Sequence, residues 1–114
     1  MKKTLIALSA ALVSLSAVAG GNVENGAALA KKYNCASCHG DKFTNPIDPS
    51  YPKLAGQHQD YLEHALTAYR RGGDAANGRA NAIMGAQAKP LTTQEIKDLA
   101  AYLHSLPGEM TAHR

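Results

Sequence analysis

Two cysteines and a histidine lie close together in this sequence, as Cys35, Cys38 and His39. Two thiols separated by two residues can reach the two vinyl-derived carbons of one porphyrin and form thioethers with it, and the next residue is then held beneath the iron. Once the macrocycle is attached, ligation of the iron by the His39 imidazole is intramolecular and costs little further entropy. The motif therefore predicts one covalent haem c, attached through Cys35 and Cys38, whose iron is bound by His39.

The same residues could form two other kinds of site. A redox-active dithiol also uses a Cys-x-x-Cys pair, but it is typical of a thioredoxin-like βαβ context and leaves His39 without a role. A zinc site could combine Cys35 and Cys38 with His58 and His64. However, the gap between Cys38 and His58 is longer than in the usual zinc finger, and two residues six apart on one helix are rotated by about 240°. Haem attachment is therefore the favoured interpretation.

The start of the chain has the composition of a secretory signal peptide. A short basic region is followed by an apolar run over 5–18, and small residues end at Ala19. The run is shorter than the ~20 apolar residues that cross a bilayer. The sequence therefore predicts a signal peptide over 1–19, cleaved after Ala19, and one monohaem domain over 20–114. It also predicts a periplasmic location and no transmembrane anchor in the mature protein.

Charge and length limit the classes of function. The chain has 12 Lys and Arg residues against 9 Asp and Glu, and two of the basic residues lie in the predicted signal peptide, so the mature protein is nearly neutral. Its basic residues are scattered and do not alternate with aromatic residues, which is unlike a nucleic-acid-binding surface. We therefore expect no nucleic acid partner. A domain of this length has a small core, to which a buried haem would add apolar contacts.

Three segments have the periodicity and the end signals of helices, which predicts an all-α fold. The first, over about 23–34, runs directly into the haem motif. The second, over 59–71, has apolar residues at spacings of three and four and ends at a glycine pair. The third, over 93–105, begins with a Thr92-x-x-Glu95 capping-box pattern and is followed by a proline.

Long loops rich in glycine and proline separate these helices, over 40–57 and 72–91. Met84 lies in the second loop, which could fold over one face of a haem. An open position on the iron would favour small-molecule chemistry, whereas a protein ligand would favour electron transfer. The residue types alone leave the second ligand open among two methionines and four histidines, namely Met84, Met110, His58, His64, His104 and His113.

The arrangement of these motifs resembles the class I c-type cytochromes. YPKLAGQ over 51–57, NAIM over 81–84 and KPLT over 89–92 are similar to one domain of the bacterial cytochrome c-four group. The similarity covers about 22–106. Proteins of that group carry two such domains, whereas this chain has one haem motif. The resemblance therefore implies a small monohaem class I cytochrome c fold, in which three main helices and long loops wrap around one covalent haem.

The resemblance also assigns roles to individual residues. It implies that His39 is the proximal iron ligand and Met84 the distal one. It implies that the backbone carbonyl of Pro52 accepts a hydrogen bond from His39 Nδ1, which fixes the imidazole, and that Leu54 packs on the haem. The family's crossed first and last helices are matched by Gly26, Leu99 and Tyr102. Candidates for contacts with the haem propionates are Gln57, Arg79 and Asn81, and the alternative for each is a solvated side chain.

Together these expectations favour a periplasmic one-electron carrier that is not an enzyme and has no catalytic residues. Its partners would be transient redox proteins, a periplasmic donor and a terminal oxidase or reductase, because such encounters use small interfaces. Two alternatives stay open. One is a haem c subunit bound permanently to a periplasmic dehydrogenase, for example one acting on a sulfur compound. The other is a haem enzyme or sensor in which Met84 dissociates to admit a small ligand.

Overall fold

The computed structural model describes residues 20–109 of the chain. The predicted signal peptide over 1–19 lies outside these residues, and so do Met110 and His113. The described part contains helices and no strands, which confirms the prediction of an all-α fold. Its helices are α1 over Val23–Lys32, α2 over Ala36–His39, α3 over Gln59–Arg71, α4 over Ala82–Ala88 and α5 over Thr93–Ser105.

The two longest helices have the bounds that the sequence predicts. The α5 helix begins with a capping box, in which the Thr92 hydroxyl accepts from the backbone N–H of Glu95 and the Glu95 carboxylate accepts from the N–H of Thr92. The α3 helix ends at Arg71 and is followed by Gly72, which has a φ of 82°. That left-handed conformation suits glycine and ends a helix readily.

The first helix is shorter than predicted. The side chain of Asn22 caps α1 by accepting a hydrogen bond from Asn25 N–H, but the helix ends at Lys32 and not at residue 34. Asn34 has a φ of 53°, in the left-handed region that asparagine tolerates better than most residues. This residue turns the chain out of α1, and a separate single-turn helix then begins.

The prediction of an unbroken loop over 72–91 is wrong, because α4 lies within it. The Asn81 side chain accepts a hydrogen bond from Met84 N–H at 2.9 Å and so caps the start of this helix. The helix has only seven residues, Ala82–Ala88, and is composed mainly of alanine and other small residues. It therefore shows almost no apolar periodicity, which is the signal that reveals longer helices.

Helices α1 and α5 cross closely and form the base of the fold. A Cβ atom added at Gly26 would lie 2.0 Å from the backbone oxygen of Asp98 and 2.6 Å from Tyr102 Cβ. The absence of a side chain at Gly26 therefore allows the two helices to cross closely, as the match of Gly26 to the family's crossed helices implied. The buried Asp98 carboxylate accepts hydrogen bonds from Asn22 N–H at 2.8 Å and from the Gln94 amide at 2.9 Å, which ties the start of α1 to α5.

One hydrophobic core fills the space between the helices and the loop that follows α2. Four of its ten buried members come from α5, and the others come from α1, α3, α4 and the loops. They are Ala30, Phe43, Ala55, Leu62, Ala88, Leu91, Ile96, Leu99, Ala100 and Leu103. Among residues 20–109, no helix is long and apolar enough to cross a membrane.

Candidate haem site

The cysteine and histidine motif forms a single helical turn. The backbone N–H groups of Cys38 and His39 both donate to the carbonyl oxygen of Cys35, at 3.3 and 3.1 Å. Residues three and four apart lie on the same face of a helix, so this turn brings Cys35 next to both Cys38 and His39. Both cysteines are half-buried free thiols. The spacing of the motif thus places two thiols and one imidazole together.

His39 is oriented by a backbone carbonyl. Its side chain is 7% exposed, and its Nδ1 lies 2.9 Å from the carbonyl oxygen of Pro52. A carbonyl oxygen can only accept, so Nδ1 carries the proton and Nε2 of the neutral ring keeps its lone pair. This is the contact that the family resemblance implied for Pro52. It leaves His39 Nε2 as the nitrogen with a lone pair for a metal ion.

Two adjoining cavities open beside this imidazole, with volumes of about 210 and 80 Å³. Cys35 lines the smaller cavity and Pro52 lines the larger one. The residues that line both are mostly apolar and come from α2, α3, α4, α5 and the loop after α2. They are Cys38, His39, Leu54, Leu66, Ile83, Met84 and Leu103.

Met84 reaches this shared space from α4. Its side chain is partly buried, and its backbone is fixed by the Asn81 cap. His58 and His64 are exposed and line neither cavity. His104 Nδ1 donates a hydrogen bond to the carbonyl oxygen of Gln57 at the surface, and His104 also lines neither cavity. Met84 is therefore the candidate second ligand that the structure brings to the same cavity as His39.

One edge of the larger cavity is polar. The Arg79 guanidinium lies 5.7 Å from the ring centre of Tyr61 and 5.6 Å from that of Tyr69, and the two tyrosine side chains raise the pKa of Arg79 above its ordinary value. Gln57 and Asn81 line the same cavity. The three residues suggested as propionate partners therefore share one cavity, and their contact with a propionate stays a prediction.

The arrangement fits a haem better than it fits the alternatives. A haem has apolar faces and a charged edge, and the paired cavities offer apolar walls, one polar edge, two thiols and one imidazole. Burial raises the pKa of the Cys35 thiol, which is the opposite of what a reactive redox dithiol needs. Over residues 20–109, no three His, Cys, Asp or Glu side chains are grouped closely enough to hold a metal ion by themselves, so the suggested zinc site is not formed.

Several residues that line the cavities had no assigned role from the sequence. From the sequence, Tyr61, Leu66 and Tyr69 are only positions within the predicted helix over 59–71, and Leu103 is only a position within the predicted helix over 93–105. Tyr61 is 48% exposed, so its position at a cavity edge could not be inferred from the apolar periodicity of α3. Arg79 lies outside α3, so no local sequence pattern predicts its position beside the rings of Tyr61 and Tyr69.

Comparison with known proteins finds a family and relatives to which this chain is similar. The family described as cytochrome c matches residues 23–107. Cytochrome c4 of Stutzerimonas stutzeri is 34% identical over an alignment that covers 96% of this chain and 53% of that protein. The thiosulfate dehydrogenase electron acceptor of Thiomonas intermedia strain K12 is 34% identical over 73 residues, which are 64% of this chain and 31% of that protein.

A solved structure has the same fold. The crystal structure of reduced recombinant cytochrome c4 from Pseudomonas stutzeri superposes with a TM-score of 0.65 and 35% sequence identity. The match covers 78% of this chain and 47% of that chain. The chain therefore spans about half the length of the cytochromes c4 that it matches, 53% of one by sequence and 47% of one by structure.

These similarities agree with the cavity, the thiols and the helical architecture. The fold is that of a class I cytochrome c and resembles one domain of cytochrome c4. The protein carries one covalent haem c with its iron. By the match over 23–107, the chain belongs to the cytochrome c family.

Proposed function

We propose that this c-type cytochrome is a periplasmic one-electron carrier whose iron is held by His39 and Met84. The observation that carries the proposal is that both side chains line the same pair of cavities, on a turn and a short helix that are far apart in sequence. A haem with a protein ligand on each side has no open position for a substrate, which favours electron transfer over catalysis.

Each residue of the site then has a separate task. Cys35 and Cys38 form the two thioethers, and His39 offers the lone pair of Nε2 to the iron. The carbonyl of Pro52 holds the ring in the required tautomer, since its oxygen accepts a hydrogen bond from His39 Nδ1–H at 2.9 Å. Leu54 lines both cavities, so its side chain would pack on the macrocycle and keep water away.

The haem supplies the ferric–ferrous couple, and the chain tunes it. A thioether from Met84 stabilises ferrous iron more than ferric iron, and apolar neighbours such as Leu66 and Leu103 disfavour the additional charge of the ferric state. Both effects raise the reduction potential. Because no ligand has to exchange when the electron moves, little rearrangement is needed at the site.

Redox partners would contact the surface around the cavities. Ile83 is 53% exposed and lines both cavities, and Tyr61 is 48% exposed at the larger one. A small apolar surface of this kind suits a transient encounter. The name of the Thiomonas relative, thiosulfate dehydrogenase electron acceptor, supports a donor of the dehydrogenase class. It also favours the second candidate, a haem c subunit held permanently by such a dehydrogenase.

A redox titration combined with ligand binding tests the carrier. We expect one reversible wave with a one-electron slope, and only slow carbon monoxide binding by the ferrous protein at neutral pH, because Met84 has to leave the second position first. Purification from the native host under mild conditions distinguishes the second candidate. A free carrier elutes at the size of this chain, whereas a subunit elutes with a larger protein. Rapid binding of carbon monoxide would contradict both readings and favour a ligand-binding enzyme or sensor.

The proposal of a periplasmic location depends on the start of the chain. Cleavage after Ala19 would leave a monohaem domain over 20–114 with Gly20 as its first residue, and haem attachment would follow export, as the family resemblance implies. The expected intact mass of the purified protein is that of residues 20–114 plus one haem. A haem-bearing protein that still contains 1–19 would contradict this cleavage site.

A further inference from the structure

The segment that carries Met84 has little apolar packing of its own. We call residues 72–91, which connect α3 to α5 and contain α4, the Met84 segment. Among its side chains only Ala88 and Leu91 are buried, and three residues immediately before Met84 are exposed. Burial of one alanine and one leucine contributes only a small part of what holds a segment of this length. Polar contacts with neighbouring elements can therefore contribute to holding it in place.

One such contact lies before Met84, at Arg79. The backbone N–H of Arg79 donates to the carbonyl oxygen of Ala68 in α3 at 2.9 Å. Its guanidinium lies within 5.7 Å of the ring centres of both Tyr61 and Tyr69, which also belong to α3. A cation this close to two aromatic rings is attracted to both, and the tyrosine hydroxyls can accept its N–H groups. Arg79 thus attaches the first part of the Met84 segment to α3.

A second contact lies after Met84, and it also starts from α3. Arg70 donates from Nη1 to the carbonyl oxygen of Leu91 at 3.1 Å and from Nη2 to the Thr93 hydroxyl at 3.2 Å. The two donors of one guanidinium thereby hold the end of the Met84 segment and the first residue of α5. A planar fork can make both contacts at once, which the single ammonium of a lysine cannot do in the same geometry.

From these two anchors we propose that Arg70 and Arg79 are positioning residues that keep Met84 at the iron by fastening its segment to α3. The inference rests on the proposed ligation by Met84. The segment has a closed arrangement, with both anchors made, and an open one, in which Met84 has left the iron. Each anchor exists only in the closed arrangement, so losing either one increases the open fraction.

Carbon monoxide binding to the ferrous holoprotein measures the open fraction directly, because the gas can bind only after Met84 has left. Loss of one charge-assisted or cation–π anchor should increase the open fraction about tenfold. We expect Arg70→Lys and Arg79→Gln each to raise the binding rate about tenfold, and the double variant about a hundredfold if the two ends act independently. In Arg79→Lys, which keeps a cation over the tyrosine rings, we expect a smaller increase.

The ferric protein gives a second readout, the near-infrared charge-transfer band from sulfur to iron. On heating, the band of each variant should disappear at a lower temperature than in the unchanged protein, while the far-UV circular dichroism remains that of folded helices. Arg71→Gln is the matched control, since Arg71 is exposed, lies next to Arg70 on α3 and makes none of these contacts. It should change neither measurement.

The possible outcomes separate this inference from the proposed ligation. Absence of the band in the unchanged protein would overturn ligation by Met84 itself. If that protein has the band but the variants match it in carbon monoxide binding and in thermal loss of the band, the positioning role is wrong and the ligation stands. Loss of the band only together with the helices would show that the arginines stabilise the fold as a whole, and this too would overturn the inference.

Discussion

Replacement of both Cys35 and Cys38 by alanine should leave a chain that neither retains haem nor folds stably. The thioethers are the covalent attachment, so acidic extraction of the denatured double variant should remove all haem, whereas the unchanged protein should keep it. The cavities beside His39 lie between α3, α4 and α5, and without their occupant the apolar walls are left facing water or empty space. In so small a domain, loss of a ligand bound only by the native state should shift the equilibrium to the unfolded chain.

Two single changes make this experiment specific. Cys38→Ala should form at most one thioether and keep part of the bound haem. Ser37 lies between the cysteines and is exposed at the surface. The variant Ser37→Ala should retain full haem attachment, although it loses the hydrogen bond that the Ser37 hydroxyl donates to the carbonyl oxygen of Asn34. Haem content after extraction and far-UV circular dichroism are the measurements. A double variant that kept its haem through acidic extraction would contradict attachment through these thiols.

The parts of the fold that could be predicted are those marked by local residue chemistry. Thr92 and Glu95 predict the start of α5, because a capping box needs these residue types at this spacing. The end of α1 was placed too late, since the turn at Asn34 depends on one left-handed residue that several residue types can occupy. The α4 helix was missed because its short alanine-rich sequence lacks a periodic apolar face.

The residues of the site also divide into those that the sequence could predict and those that it could not. Cys35, Cys38 and His39 are adjacent in sequence and could be assigned from spacing alone. Pro52 acts through a backbone carbonyl, which every residue possesses, so only the family resemblance could single it out before the 2.9 Å contact was seen. The preference for Met84 over the histidines as the second ligand likewise could not come from residue types. It needed either the family resemblance or the path of the chain around the cavity, and tertiary contacts determine that path.

The anchors on α3 are the least visible part of the site in the sequence. Arg70 and Arg79 look like two of many solvated basic residues, and their partners are a carbonyl oxygen, a hydroxyl and two tyrosine rings from separate elements. Nothing in the spacing of these groups distinguishes them from a polar surface. The role proposed for the two arginines can be inferred only from the structure, because there both parts of the Met84 segment contact the same helix, α3.

Replacement of Met84 by alanine should have the largest effect on the redox chemistry. With the thioether gone, the charge-transfer band from sulfur to iron should be absent from the ferric protein, and the ferrous protein should bind carbon monoxide readily. The reduction potential should fall by on the order of 0.1 V, since axial ligands vary haem potentials over a range of about 0.8 V and a neutral sulfur that favours ferrous iron has been removed. The near-infrared spectrum and a redox titration check these expectations.

Met110→Ala is the matched control for that experiment, because it removes the other methionine of the predicted mature chain and lies outside the described residues. It should leave the band, the potential and the slow rate of carbon monoxide binding unchanged. If instead Met84→Ala kept the band and the potential, Met84 would not be the ligand. The exposed His58 and His64, together with His104, would then have to be tested in turn, although none of the three lines the cavities beside His39. Since a histidine on each side would produce no sulfur-to-iron band at all, the spectrum of the unchanged protein already separates the two kinds of ligation.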